Sequence, residues 1–472
     1  MRARLPTPTV HRLISSPLGA LLDTPTYERF KLERLPFELR LLRLGAMAAA
    51  LGSSDADELI ARLGVKGEVP TTMRRRLARG LTQFARVRMA REDITRRWER
   101  AVWGEPWPSP GREELIRLEI ERRVRARRCL VPQRTLGFFA EKIQFDPIAF
   151  HVPSPGEVAA RWARELARPE LLYALPAELP PIERSRALPG PVGPEYLIRF
   201  RSPSRIGDLV HARVFEPERR EEVAATFIYA GGLFTACDDD VYWPEEEAMG
   251  RGLAARGHRV VLLALPWHGR RAPAGKASGE ASLSAGPEGL FRLCAAGAQE
   301  MAVLIAWARE LGSSVVGIGG TSIGALVAQA VCGRARSFPR GMRPDAVFLA
   351  GAALRLDEAI LDAPLAERMG LSQAILEAGW TREALACLRD VFDPPSEPGI
   401  PPERIHAVLG LSDPFLPATL GRELLRAWHV PEGNITLRPG GQVGLLLHLV
   451  RDSDARLTIA GALHRAARAV RA

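Results

Sequence analysis

The stretch SSVVGIGGTSIGALVAQA, residues 313–330, decides the fold. An apolar run of strand character reaches Gly320-Thr321-Ser322-Ile323-Gly324 and passes straight into small, helix-compatible residues. The G-x-S-x-G pattern alone is common. Between a strand and a helix it reads as a sharp turn that exposes the serine, with glycines where a side chain would collide with neighbouring backbone. The helix start adds partial positive charge where an oxyanion would form. Ser322 is the candidate nucleophile, with the Ile323 backbone N–H as one oxyanion donor.

Working outward, apolar strand-like and helix-like segments alternate on both sides of this turn. EYLIRFRS and DLVHARVFEP, joined by a short Gly-Asp turn, read as an antiparallel hairpin. AATFIYA, HRVVLLAL, SSVVGIG, DAVFLAG, RIHAVLGL and NITLRP follow as strands separated by helices. Strands this apolar predict an α/β fold with a mostly parallel sheet covered on both faces.

A second oxyanion donor is expected from the loop after AATFIYA, where Gly232 and Leu233 are the candidates. Asp238, Asp239 and Asp240 follow closely; three consecutive carboxylates before a helix read as caps or solvated groups, so no metal or cofactor is expected. The triad acid is expected in RIHAVLGLSDPFLP, at Asp413. The third position follows NITLRP and a Gly-Gly pair, the usual place of a catalytic histidine, and holds Gln442. Chain order is thus Ser322, Asp413, Gln442, the serine-acid-base order of an α/β-hydrolase.

With these residues in hand, residues 195–472 resemble an α/β-hydrolase domain. YAGGLFTACDDDVYWPEE, LLALPWHGRRAP, GIGGTSIGA, GLSDPFLP and PGGQVGLLL together resemble the branch typified by abhydrolase domain-containing protein 18. That branch reads Gly-Gly-His in the last motif, so this chain departs from it at the base. The resemblance implies acyl-ester chemistry on a small-molecule or lipid-like carboxylic ester, and a helical lid formed by an insertion at 355–398 over Ser322.

A glutamine amide neither takes up nor releases a proton near neutrality, whereas an imidazole does both. The expectation is therefore a serine esterase or lipase-like hydrolase with weak or atypical activity, or a degenerate hydrolase that binds a ligand or partner. His448, six residues further on, is the alternative base, though a regular helix would set it about 9 Å away. His268, after an inner strand, is expected to line the substrate pocket. His429 and His464 read as surface or packing residues.

The chain has 472 residues, 46% hydrophobic and 25% charged, enough for a sizeable core. Residues 1–150 carry 29 Lys and Arg against 18 Asp and Glu, a net +11, so the whole excess of +10 lies there. Their pattern predicts a basic, mainly helical N-terminal region, followed by a Pro-rich linker at 151–194. Arg74, Arg75, Arg76, Arg79, Arg122, Arg123, Arg125, Arg127 and Arg128 are expected on solvated helix faces. An anionic membrane surface is a possible partner for such a face; nucleic acid is not expected, since no recognition motif accompanies the charge. The five cysteines are widely spaced without CxxC, which suits a reducing cytoplasm. No apolar run of roughly 18 residues predicts a membrane-spanning helix, and the N-terminus makes a poor signal peptide.

Overall fold

A computed structural model describes residues 24–104, 110–219, 223, 225–235 and 244–471, with Ile14, Ser16, Gly19 and Leu22 before them. Its centre is a ten-stranded sheet. The strands are β1 (Glu183–Arg184), β2 (Leu188–Pro189), β3 (Pro194–Arg201), β4 (Leu209–Phe215), β5 (Thr226–Ala230), β6 (Arg259–Leu263), β7 (Val316–Thr321), β8 (Ala346–Ala350), β9 (Ile405–Gly410) and β10 (Ile435–Arg438). Their order is β1-β3-β4-β6-β5-β7-β8-β9-β10, with β2 also on β3.

The expected hairpin pairs Tyr196 with Val214 and joins the sheet antiparallel through β4 and β6. From β6 to β10 every pairing is parallel. β5 to β9 are buried on both faces because their side chains alternate between two cores, while the edge strand β10 is partly exposed. Ile228 and Ala230 of β5 join Val316 and Ile318 of β7 beneath the Glu288–Glu310 and Ile323–Arg334 helices. Phe227 and Tyr229 face the other way, with Met249, Leu445 and Leu463. The Glu288–Glu310 helix is long and apolar enough to cross a membrane by length and composition, though charged residues interrupt it, and 94% of its most apolar stretch is buried inside the protein.

The N-terminal third is helical as predicted, with helices Pro25–Leu51, Ala56–Leu63, Thr71–Trp103 and Arg112–Lys142 around a small core of their own. One expectation fails at the seam with the sheet. Arg122 and Arg123 are 0% and 3% exposed, not solvated. Both pair with Glu119, which also meets Arg213 of β4, while Arg123 reaches Glu247. Arg213 and Arg251 in turn pair with Glu195 of β3. The arginines are paired where they are buried, by Glu119 on their own helix and, at Arg123, by Glu247 from far along the chain, and Trp98 lies under the Arg122 guanidinium at 4.0 Å.

The Pro-rich segment is more than a linker. Ser154 and Glu157 form a capping box on the Pro155–Arg161 helix, and β1 and β2 extend the sheet beside β3. The insertion folds into five short helices, Leu356–Asp362 to Arg389–Phe392.

Candidate active site

Ser322 stands between β7 and the Ile323–Arg334 helix with φ 55° and ψ −123°, a conformation that costs a non-glycine residue about 1–3 kcal/mol. Its N–H donates to the Ala350 carbonyl at 2.9 Å, which holds the turn against β8. The glycines have the expected steric reason. A Cβ on Gly324 would lie 2.1 Å from the Ala230 carbonyl oxygen, and one on Gly320 would lie 2.4 Å from the Gly324 backbone.

The loop after β5 runs beside the serine. A Cβ on Gly232 would sit 3.5 Å from the Ser322 Cβ, and Thr235 braces the loop by donating its hydroxyl to the Gly232 carbonyl at 2.7 Å. Gly232, Leu233, Ser322 and Ile323 all line one cavity, of about 160 Å3. Asp238, Asp239, Asp240 and Cys237 lie outside the described residues.

Asp413 follows β9. Its Oδ1 accepts the N–H groups of Phe415 and Leu416, both at 2.9 Å, so the loop itself aims the carboxylate. Gln442 begins the Gln442–Arg451 helix after β10. The two ends of its amide are told apart by their partners. With the NH2 towards Asp413, it donates to Oδ2 at 2.7 Å and Oδ1 at 3.2 Å while its oxygen accepts the Ser322 hydroxyl at 2.8 Å. The reverse orientation would set oxygen against oxygen. Three residues more than 100 positions apart at the extremes thus form one hydrogen-bonded line.

The electrostatics of this line are unusual. Burial pushes the Asp413 carboxyl up to about 7, against the Leu416 and Phe415 N–H bonds that lower it, and the charge of Glu28 adds to the rise. The neutral amide of Gln442 gives the carboxylate a donor but no opposite charge.

Neither candidate histidine meets the line. His448 is buried in the continuous Gln442–Arg451 helix, with Nδ1 2.5 Å from Asp452 Oδ2 and Nε2 3.2 Å from Arg438. His268, expected in the pocket, is not among the cavity's lining residues. It is packed against Gly279, its Nδ1 2.9 Å from the Pro266 carbonyl, and burial pushes its pKa down to about 4. His429 is exposed, and His464 packs on His258 with ring centroids 5.0 Å apart and the planes tilted by 58°.

The roof of the cavity is where sequence reasoning fell short. Leu365 and Met369 of the insertion contribute, but so do Glu28, Lys31, Leu32 and Leu35 of the Pro25–Leu51 helix. The i, i+3, i+4, i+7 spacing of those four marks a helix face. Nothing in it says what the face covers. Among the described residues, no group of three or more His, Cys, Asp or Glu could hold a metal ion.

The reversed hairpin edge, six parallel strands, serine elbow and the order of site residues define an α/β-hydrolase fold, preceded by a helical region. No family model matches the chain, and no curated protein sequence matches it. Solved structures do. Acetyl xylan esterase 1 from Thermoanaerobacterium sp. JW/SL YS485 is 16% identical, covering 64% of this chain and 96% of its own, with a TM-score of 0.42. A lipase in its open form is 16% identical over 58% of this chain and 99% of that one, TM-score 0.37. Brefeldin A esterase, described as a bacterial homologue of human hormone-sensitive lipase, is 17% identical over 68% and 90%, TM-score 0.39. The likeness is one of fold.

Proposed function

We propose that the chain binds a carboxylic ester of lipid-like character over Ser322 and hydrolyses it slowly, as a serine hydrolase of the branch typified by abhydrolase domain-containing protein 18 with glutamine in the histidine's place. The observation that carries this reading is the line Ser322–Gln442–Asp413, held at hydrogen-bond distance beside an apolar cavity.

In this reading Ser322 Oγ attacks the ester carbonyl, and the Gly232–Leu233 loop and the Ile323 N–H face the developing oxyanion. The Gln442 oxygen orients the hydroxyl, but its proton has to leave to water. The ester C–O bond then breaks, the alcohol departs with a proton from water, and a second water hydrolyses the acyl-Ser322 to release the carboxylic acid. Loss of the histidine alone costs a serine protease about 10⁶ in turnover, while roughly 10³ to 10⁴ over water survives from the oxyanion hole and binding. Slow turnover is the expected consequence. Gln442 itself favours a second reading, in which the site binds its ligand without reacting.

A fluorophosphonate probe and short p-nitrophenyl esters test both. Labelling and hydrolysis that vanish in Ser322→Ala support the slow hydrolase. Ligand binding with no labelling of wild type supports the binding module.

A further inference from the structure

We infer that Glu28, on the N-terminal helix, is a positioning residue of the Ser322 site: it fixes the start of the helix that carries Gln442, and so the line from Asp413 to Ser322. The inference rests on the site reading above and adds to it a part supplied from outside the hydrolase-like domain.

The Gln442–Arg451 helix begins without a cap of its own, since Gly441 at its N-cap has no side chain. The first N–H groups of a helix lack partners within it. Here Glu28 supplies them. Its Oε1 accepts the Val443 N–H at 3.1 Å and its Oε2 accepts the Gly444 N–H at 3.2 Å, across more than 400 residues of sequence. A carboxylate at this end also meets the positive end of the helix dipole.

The turn is shaped to admit it. A Cβ on Gly441 would lie 2.9 Å from both the Cδ and Oε1 of Glu28, and 2.6 Å from the Ser412 carbonyl oxygen. Gly441 before Gln442 therefore leaves room for a side chain from the N-terminal helix, besides making a turn. Glu28 is only 9% exposed. Its helix is fixed independently: Thr24 caps it through the Tyr27 N–H at 3.3 Å, and it packs on the Pro364–Met369 helix of the insertion.

The carboxylate acts on Asp413 as well, where its charge raises the acid's pKa. The other charged groups lining this cavity are Lys31 and Glu38, which pair with each other at 2.5 Å. From the remaining elements come apolar or neutral residues, among them Leu365, Met369, Phe415 and Leu446. Glu28 is thus placed to set both the geometry of Gln442 and the protonation of Asp413.

The test uses the full chain. Glu28→Gln keeps the shape and one acceptor oxygen but removes the charge; Glu28→Ala removes the cap; Glu33→Gln, exposed on the same helix, is the control. Two readouts are taken: the Asp413 carboxyl titration by 13C NMR, and the rate of Ser322 labelling by a fluorophosphonate. In Glu28→Gln the Asp413 midpoint is expected to move down from about 7. In Glu28→Ala labelling is expected to slow about 10-fold or more, since small misplacements of reacting groups cost that much or more; Glu28→Gln should lie between Ala and wild type. Glu33→Gln should change neither. If wild type is not labelled but the Glu28 variants still shift Asp413, the hydrolase reading fails and the positioning role stands. If both Glu28 variants fold and leave titration and labelling unchanged, the inference is overturned.

Discussion

Two buried carboxylates, Glu119 at the seam and Asp413 at the site, sit at 2% and 7% exposure and are treated in opposite ways. Burial would raise both. At Glu119 the guanidiniums of Arg122, Arg123 and Arg213 overcome it and hold the carboxyl well below its ordinary range. At Asp413 the partners are backbone N–H groups and a neutral amide, and the carboxyl rises to about 7. The seam neutralises its charge with charge, whereas the site leaves its acid close to neutrality. An imidazole would have supplied Asp413 with a chargeable partner; Gln442 holds the geometry without it.

The largest expected effect follows at the seam. Glu119→Leu removes the carboxylate that three buried guanidiniums share and should cost about 3–5 kcal/mol in denaturant unfolding. A loss under about 1 kcal/mol would mean that the arginines relax to water and that the seam is not closed.

Asp413→Asn probes the other side. A raised carboxyl pKa contributes stability below the unfolded value of 3.8 that is lost as pH rises through about 7. Roughly three units correspond to about 4 kcal/mol, taken as an upper bound. Asp413→Asn should therefore melt higher than wild type at pH 8 and alike at pH 4. The same gain at both values would show that charge is not the cause. Acid lability should persist in both proteins, because burial pushes His258, His268 and His406 down to about 4. Their contribution is present above about 6.5 and lost as pH falls towards 4.

Gln442→His should raise esterase turnover by about 10² or more if serine, acid and oxyanion loop remain preorganised, some 2.7 kcal/mol of barrier. Steady-state hydrolysis of a p-nitrophenyl ester measures it. No gain, with labelling of Ser322 still absent, would favour the binding module. The smallest effect belongs to an exposed pair. Arg62→Met breaks the Arg62–Glu58 bridge on a solvated helix face and should change unfolding free energy by less than about 1 kcal/mol. A cost near that of Glu119→Leu would erase the contrast between buried and exposed charge.

Much of the sheet was legible because its signals are local. Apolar runs such as VVGIGG and AVFLA announce buried parallel strands, and the steric demands at Gly320 and Gly324 arise within one turn and its neighbour strand. The seam was not legible. Arg122 and Arg123 lie among leucines and glutamates on a helix that reads as solvated, and the groups that complete the seam, Glu247 on Arg123 and Arg213 on the shared Glu119, come from a helix and a strand far along the chain. His268 misled because its loop does lie at the correct edge of the sheet, yet its ring turns into packing against Gly279.

By itself, the sequence determined the fold class, the serine's turn and the order of Ser322, Asp413 and Gln442, because each depends on residues close together in the chain. Tertiary structure alone decided that the glutamine amide spans acid and serine, that Glu28 caps its helix and that the N-terminal helix roofs the cavity. Those outcomes depend on distances between segments hundreds of residues apart, and a hydrogen bond or a desolvated charge is set by that distance and by no local pattern.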